Sequence, residues 1–477
     1  MFARILHHEC LIVMRDRSLA PLALLFALCT AYGLYNGISW VDARETTLRA
    51  AALEEFQRLS SLSELLRDPE RLDSVDRFRD PRSPGAVGRN LGQRYAALPP
   101  TALAPLSIGQ SDLYPGYFKV SVRSKDAFVN NDELENPINL LAGRFDLAFV
   151  IVFLVPLFVI ALSYNLLSQE REQGTLAMVL SQPVSFRLLL AGKVAVRAGL
   201  LVGIIIAVPL LGLLASGVDL SDSRTLSLFL LWSAAVIVYG LFWFFLAVTV
   251  NAFGSASSTN AVTLSAMWLL LVLILPSALN IAITTAYPVP SRVELINELR
   301  AASNSATSRG SQLLAKYYED HPELVSNSSA DLADFTSRLM AVQQDVDRRM
   351  MPVMQRYDEQ LVRQQRAVQR FRFLSPAIIM QEALNDIAGT GLERYRHFLR
   401  LVDGYHKQWQ AYFLPRIFEQ AQMTTEDYEQ LPRFVYKEES LDPILLRTML
   451  GLIGLALSGA LLLWIGLSRL RYYPIQR

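Results

Sequence analysis

Residues Thr225–Val250 read TLSLFLLWSAAVIVYGLFWFFLAVTV, a run without a single Asp, Glu, Lys or Arg. A helix rises about 1.5 Å per residue, so roughly 20 apolar residues match a hydrocarbon layer about 30 Å thick. A surface helix of a soluble protein would carry a polar face, and this one has none. Five further blocks share its character: Ser18–Ile38, Asp146–Leu167, Val194–Ser216, Ala261–Ala286 and Asp442–Leu467. The middle of each is free of Asp, Glu, Lys and Arg, and Asp146 and Arg197 lie near block ends, where anchoring is the expected role. Composition agrees, with 52% hydrophobic and 19% charged residues, where soluble domains carry about 25% charged. The expected fold class is an all-α integral membrane protein with six transmembrane helices.

Several function classes are disfavoured by what the chain carries. Lys and Arg total 45 against 44 Asp and Glu, so no basic excess points to nucleic acid. Cys10 and Cys29 lie in dissimilar surroundings, and the five histidines (His7, His8, His321, His397, His406) are scattered, so neither type suggests a metal cluster. The first apolar block is too long for a signal-peptide core, and no small-residue cleavage site follows it. Gly254-Ser-Ala-Ser257 lacks the strand–turn–helix setting of a nucleophile elbow. Gly192-Lys193 is not a phosphate-binding loop, because Arg187 stands where that motif needs glycine. No enzymatic activity is expected of this chain alone.

Basic residues near membrane spans mark the cytoplasmic side. Arg4, Arg15 and Arg17 precede the first block, Arg171, Arg187 and Lys193 separate the second from the third, and Arg469, Arg471 and Arg477 follow the last. Six spans put all three groups on one side, so both termini are expected in the cytoplasm. Residues 1–17 then form a cytoplasmic amphipathic interfacial helix, 18–38 and 146–167 are spans, and 194–286 hold three more. Residues 442–467 make the last span before a cytoplasmic tail at 468–477. The uncharged link Asn251–Asn260 is cytoplasmic, and Asp219–Arg224 is an outer turn.

Two long segments remain for the outside, 39–145 and 287–441. The first opens with helical spacing at Leu48, Ala52, Phe56, Leu59 and Leu66, turns rich in Pro and Gly from Asp80 to Gly116, and has a strand-like run at Tyr117–Val122. In the second, Leu332, Phe335, Leu339, Val342 and Val346 form one stripe of a long helix, which Pro352 should kink or end. Both are expected to be mainly helical extracytoplasmic domains that fold without disulfides. Small residues at Gly33/Gly37 and Gly199/Gly203 would allow close helix approach, as in a dimer interface.

The segment 168–193 carries the functional signal. It runs Ser-Gln-Glu170-Arg171-Glu172-Gln-Gly174-Thr175-Leu176 and continues to Pro183 and Gly192-Lys193. A helix leaves the membrane, ends in a charged turn and is broken at Gly174. Thr175 can cap a new short helix, Leu176, Val179 and Leu180 give it an apolar face, and Pro183 stops it.

This segment resembles the cytoplasmic coupling loop of type-2 ABC permeases, the membrane subunits of ATP-driven transporters. Ala177 departs from that family's pattern, in which the position is often acidic. The basic amino-terminal segment, the six spans and the region after the fifth also resemble the family plan. The inserts, with Asp112-Leu-Tyr114-Pro115, Glu135-Asn-Pro137, Gly143-Arg144-Phe145-Asp146, Ser375-Pro376 and Ala388-Gly389-Thr390, look like a bacterial subgroup with two large extracytoplasmic inserts.

The resemblance implies that Glu170, Arg171, Glu172, Gly174, Thr175, Leu176 and Pro183 contact a separate ATPase subunit. That subunit, not this chain, would bind ATP and Mg. It further implies a second permease subunit, identical or paralogous, in the bacterial inner membrane, a periplasmic partner as a further possibility, and export rather than uptake. The alternative is an ABC-type complex that passes ATP-driven motion to its extracytoplasmic domains or partners without moving a substrate.

Overall fold

The fold is that of a computed structural model, which describes residues 2–15, 17, 19–76, 79–112, 114–122, 145–176, 178, 181, 185–254, 256–288, 292–310, 312, 331–419 and 421–473. Leu113, Glu135–Pro137, Gly143–Arg144, Ala177, Val179, Leu180, Pro183 and Ser255 lie outside the described residues, as do the side chains of Leu332, Phe335 and Leu339. Helix α1 covers Phe2–Arg15. The helices long and apolar enough to cross a membrane are α2 (Leu19–Leu66), α3 (Leu147–Glu172), α4 (Phe186–Ala215), α5 (Ser223–Ala252) and α6 (Ser257–Ala286), with one more near the carboxyl terminus. Between them lie α7 (Arg292–Ser308), α8 (Asp331–Phe371), α9 (Pro376–Ala388), α10 (Leu392–Phe418) and α11 (Thr425–Glu429). The sixth candidate span is α12 (Leu441–Arg469). Each expected block therefore lies in a helix, and the chain is a multi-pass helical membrane protein.

Helices α3 and α5 form the middle of the bundle, with most of their apolar windows buried, while α2, α4, α6 and α12 bury less than a third of theirs. Trp232, Tyr239, Trp243 and Phe244 of α5 are fully enclosed. Two of the spans that carry an internal proline have a widened π-helical stretch just before it, Val150–Leu154 ahead of Pro156 and Leu269–Ile274 ahead of Pro276. A proline has no N–H to donate to the preceding turn, and an unpaired carbonyl in hydrocarbon is costly. Side chains of neighbouring elements fill the gap. The Tyr239 hydroxyl donates to the Val152 carbonyl at 2.8 Å, Trp268 Nε1 to Phe153 at 3.2 Å, and Ser375 Oγ to Leu271 at 2.7 Å.

The last of these bonds has architectural weight. Leu271 lies halfway along α6, and the Phe373 ring presses on Gly454, halfway along α12, where an added Cβ would come within 2.5 Å of it. The turn between α8 and α9 thus reaches the mid-height of two spans. Met380 and Leu384 of α9 belong to the same apolar core as the spans. Helix α9 is too short to cross a bilayer, and it rises from that turn back to the bundle's end.

The first span does not stop at Ile38. Helix α2 continues for 48 residues, roughly 72 Å. Its distal part forms one wall of a second core, where Leu59, Leu62 and Leu66 pack with Val87, Phe118, Phe398, Trp409 and Phe413. The strand expected at Tyr117–Val122 is β2 (Tyr117–Val120), paired antiparallel with β1 (Arg94–Ala97). The Tyr95 backbone N–H donates to Glu55 of α2 at 2.7 Å. Both long inserts contribute to this core, and hydrogen bonds cross between them, from Trp409 Nε1 to Gly88 (3.2 Å) and from the Tyr428 hydroxyl to Pro81 (3.0 Å). Helix α8 runs through Pro352 to Phe371 rather than ending there. It pairs with α7 through Ala306, Val346 and Met350.

The glycine pairs divide. A Cβ on Gly33 would stand 2.9 Å from the Asp146 backbone, and one on Gly37 would overlap the Pro105 carbonyl, so both serve contacts within the chain rather than between chains. Gly199 and Gly203 have nothing near them. Asp146 caps α3 by accepting from Phe149 N–H at 2.7 Å, and it also accepts from Ile108 N–H at 2.8 Å. Its role is indeed that of an anchor.

Candidate functional site

Four segments meet at one end of the bundle. Leu166, Leu167 and Leu176 from the end of α3 and the turn after it cluster with Leu190 of α4, Val248 and Ala252 of α5, and Leu470 and Tyr473 beyond α12. Helix α1 joins them. Ile5 fits over Gly192, where a Cβ would come within 2.6 Å of its side chain, and Glu9 pairs with Arg197 at 3.8 Å, both buried. Helix α1 and the segment Leu470–Tyr473 therefore pack at the same end of the bundle as Glu170–Leu176.

The charged turn is built by its own backbone. Gly174 takes φ +72°, the left-handed region that glycine enters without penalty. Gly174 N–H donates to Arg171 at 3.1 Å and Thr175 N–H to Glu170 at 2.9 Å, closing the helix end with two bonds to its last carbonyls. The Thr175 hydroxyl also turns back to Glu170, at 3.3 Å. Leu176 and Met178 are helical on the far side of the turn.

The side chains of Glu170, Arg171 and Glu172 each bind a different element. Glu170 pairs with the buried Lys193, whose Nζ also donates to the Leu166 carbonyl at 3.0 Å. Arg171 donates to the Gly254 carbonyl and stacks over the Tyr473 ring, 5.8 Å from its centroid. Glu172 accepts from the backbone N–H of Ser257 at 2.7 Å and from its hydroxyl at 3.0 Å, at the start of α6. Behind them Asn251, wholly buried, donates to the carbonyls of Ser163 (3.0 Å) and Ala247 (2.9 Å) and accepts from Leu167 N–H (3.4 Å) and Asn260 Nδ2 (3.2 Å).

Of the seven residues singled out in the sequence, six lie together here and Pro183 lies outside the described residues. The three charged ones and the buried Leu176 are engaged within the chain. Gln173, Gly174 and Met178 face outward, Met178 with 67% of its surface exposed. Sequence reasoning missed Asn251, Ser257 and Tyr473 as partners of the turn. A fully polar Asn–Asn pair flanking an uncharged link between two apolar blocks was the available signal.

A second polar constellation lies at the opposite end of the spans. A cleft of about 230 Å³ opens where α5 and α12 begin and α9 ends. Arg447, seventh residue of α12, bonds Glu439 at 3.0 Å and faces Asp386 of α9 at 3.5 Å. Arg394 of α10 grips Glu438 through two bonds of 2.6 and 3.2 Å. Arg224 donates to the Glu439 carbonyl at 2.8 Å. Burial pushes the Asp386 carboxyl up to about 6, against the pull of Arg447. Arg447 is a charge inside an apolar block that the hydropathy pattern hides.

A family model described as a domain of unknown function, DUF3526, matches residues 292–437, which run from α7 to the segment before the last span and leave out 168–193. No curated protein matches the chain.

Proposed function

We propose that this chain is the membrane-spanning permease subunit of an ATP-driven ABC transporter, working with a separate ATPase that binds ATP and Mg. The observation that carries this reading is the platform at one end of the bundle. There the turn Glu170–Leu176 is tied to α4, against which α1 packs, to the start of α6 and to Tyr473, and Gln173, Gly174 and Met178 face outward. A surface fixed to several spans at once is what a docking motor needs to move them together. In this reading the platform and both termini are cytoplasmic, in a bacterial inner membrane, and the insert core is extracytoplasmic. The complex holds two permease subunits and two ATPases and works as an exporter.

Glu170, Arg171 and Glu172 then act as positioning residues, and the contact itself falls to the exposed residues beside them. The test is purification of the tagged chain from its native membrane with an ATPase, comparing wild type with Met178→Asp. Loss of the ATPase with unchanged thermal unfolding is expected. Wild-type protein that brings down no ATPase would sink the reading.

One observation favours a second reading, in which the complex does mechanical work on extracytoplasmic partners. Helix α2 passes from the bundle into the insert core without a break, a continuous link through which movement of a span would be passed to the insert. Substrate movement in sealed vesicles holding the whole complex separates the two.

A further inference from the structure

We infer that the cleft between α5, α9, α10 and α12 binds an oxyanion headgroup, a phosphate or carboxylate carried by an amphiphile. Three guanidinium groups, those of Arg224, Arg394 and Arg447, line a space large enough for several non-hydrogen atoms. The planar guanidinium fork matches carboxylate and phosphate oxygens in two-bond geometry. Arg394 is nine-tenths buried, and Nε of Arg447 faces Asp386 at 3.5 Å without completing a hydrogen bond. Leu228 and Ile444 supply an apolar wall at the ends of two spans. That is the level at which a bilayer holds its headgroups.

Three acids now meet these arginines, Asp386 near the end of α9 and Glu438 and Glu439 on the connector after α11. Among the described residues, no backbone N–H of Arg433–Ser440 donates to another backbone carbonyl, so the connector is held by side chains. Glu438 keeps 38% of its side chain exposed. A carboxylate so open to water is readily exchanged, whereas Glu439 is 18% exposed and makes two bonds to Arg447. Glu438 and Glu439 hold the place of a ligand's oxyanion, and an incoming headgroup would displace Glu438 first. This inference needs no ATPase and stands or falls apart from the permease reading.

The test uses the full chain in a neutral detergent. Binding of dioctanoyl phosphatidylglycerol is measured beside dioctanoylglycerol, which lacks the anion, and beside inorganic phosphate. Saturable binding of the phospholipid is expected, weakened at least tenfold by Arg447→Gln or Arg394→Gln and tightened by Glu439→Gln, which removes the competing charge. Competition by inorganic phosphate at similar concentration would assign the site to a soluble oxyanion, with the same arginine dependence. Equal binding of the phospholipid and dioctanoylglycerol overturns the inference. So does Glu439→Gln weakening binding as much as Arg447→Gln does, since that is the mark of a merely structural pair. Thermal unfolding of each variant identifies any that fail to fold, and Glu439→Gln, the mildest change, keeps the sign of the effect readable.

Discussion

The carboxylate of Glu172 holds both the backbone N–H and the hydroxyl of Ser257, 85 residues away, at 2.7 and 3.0 Å. One side chain thereby joins the end of the second span to the start of the fifth. Charge-assisted bonds of this kind contribute about 1.5–3 kcal/mol when well made. Glu172→Ala should therefore free the first turn of α6, seen as faster hydrogen exchange at residues 257–260, and, on the permease reading proposed above, should lower ATP turnover of the complex. Unchanged exchange would show that the bond carries no load.

The pair of Glu170 and Lys193 should respond asymmetrically. Lys193 is buried, whereas Glu170 keeps about a fifth of its side chain in contact with solvent. Removing the acid strands a buried cation, a change that costs about 3–5 kcal/mol at such sites. Removing the lysine leaves a carboxylate that water can reach. Glu170→Ala should thus lower the melting temperature more than Lys193→Met. The reverse order would mean that the Leu166 carbonyl alone satisfies Lys193.

Gly37 and Gly203 look alike in sequence and should behave differently. A methyl group at 37 meets the Pro105 carbonyl, a backbone atom that cannot swing aside, while nothing stands near 203. Gly37→Ala should destabilise by about 1–3 kcal/mol, the range for overpacking, and Gly203→Ala should be close to neutral in thermal unfolding. Equal effects would refute the packing described for Gly37.

Asp386 gives a pH signature. Its folded pKa of about 6 lies above the ordinary carboxylate value, chiefly through burial. The folded form then binds more protons than the unfolded one between pH 4 and 6, so this group's contribution falls as pH rises through that window and is constant above it. Asp386→Asn removes the effect, and its stability relative to wild type should rise by at most roughly 3 kcal/mol from pH 4 to pH 6. Melting curves at pH 4.5 and 7.5 check this, and a pH-independent difference would refute it.

The spans were readable because apolar length is a local property, and Thr225–Val250 needs no partner to announce itself. The turn at Glu170–Thr175 was readable as a turn for the same reason, since Gly174 sets its backbone. What its charges do was not readable, because Ser257, Gly254 and Tyr473 lie from 83 to about 300 residues further along and are joined to it only in space. Helix α9 escaped notice because Glu382, Asn385 and Asp386 break its apolar pattern, and only Ser375 reaching Leu271 reveals how deep it starts. Pro352 was expected to kink or end α8. The helix does not end there, and packing against α7 on both sides of that residue, through Val346 and Val353, holds it together.

The unbroken course of α2 turns angle into distance. About 40 Å of it extends past the length a bilayer needs. If the buried part tilts by ~10° about the membrane edge, the far tip swings by ~7 Å, enough to part or close surfaces that were in contact. A motor acting at the opposite end would need only a small stroke, because the gain is supplied by leverage.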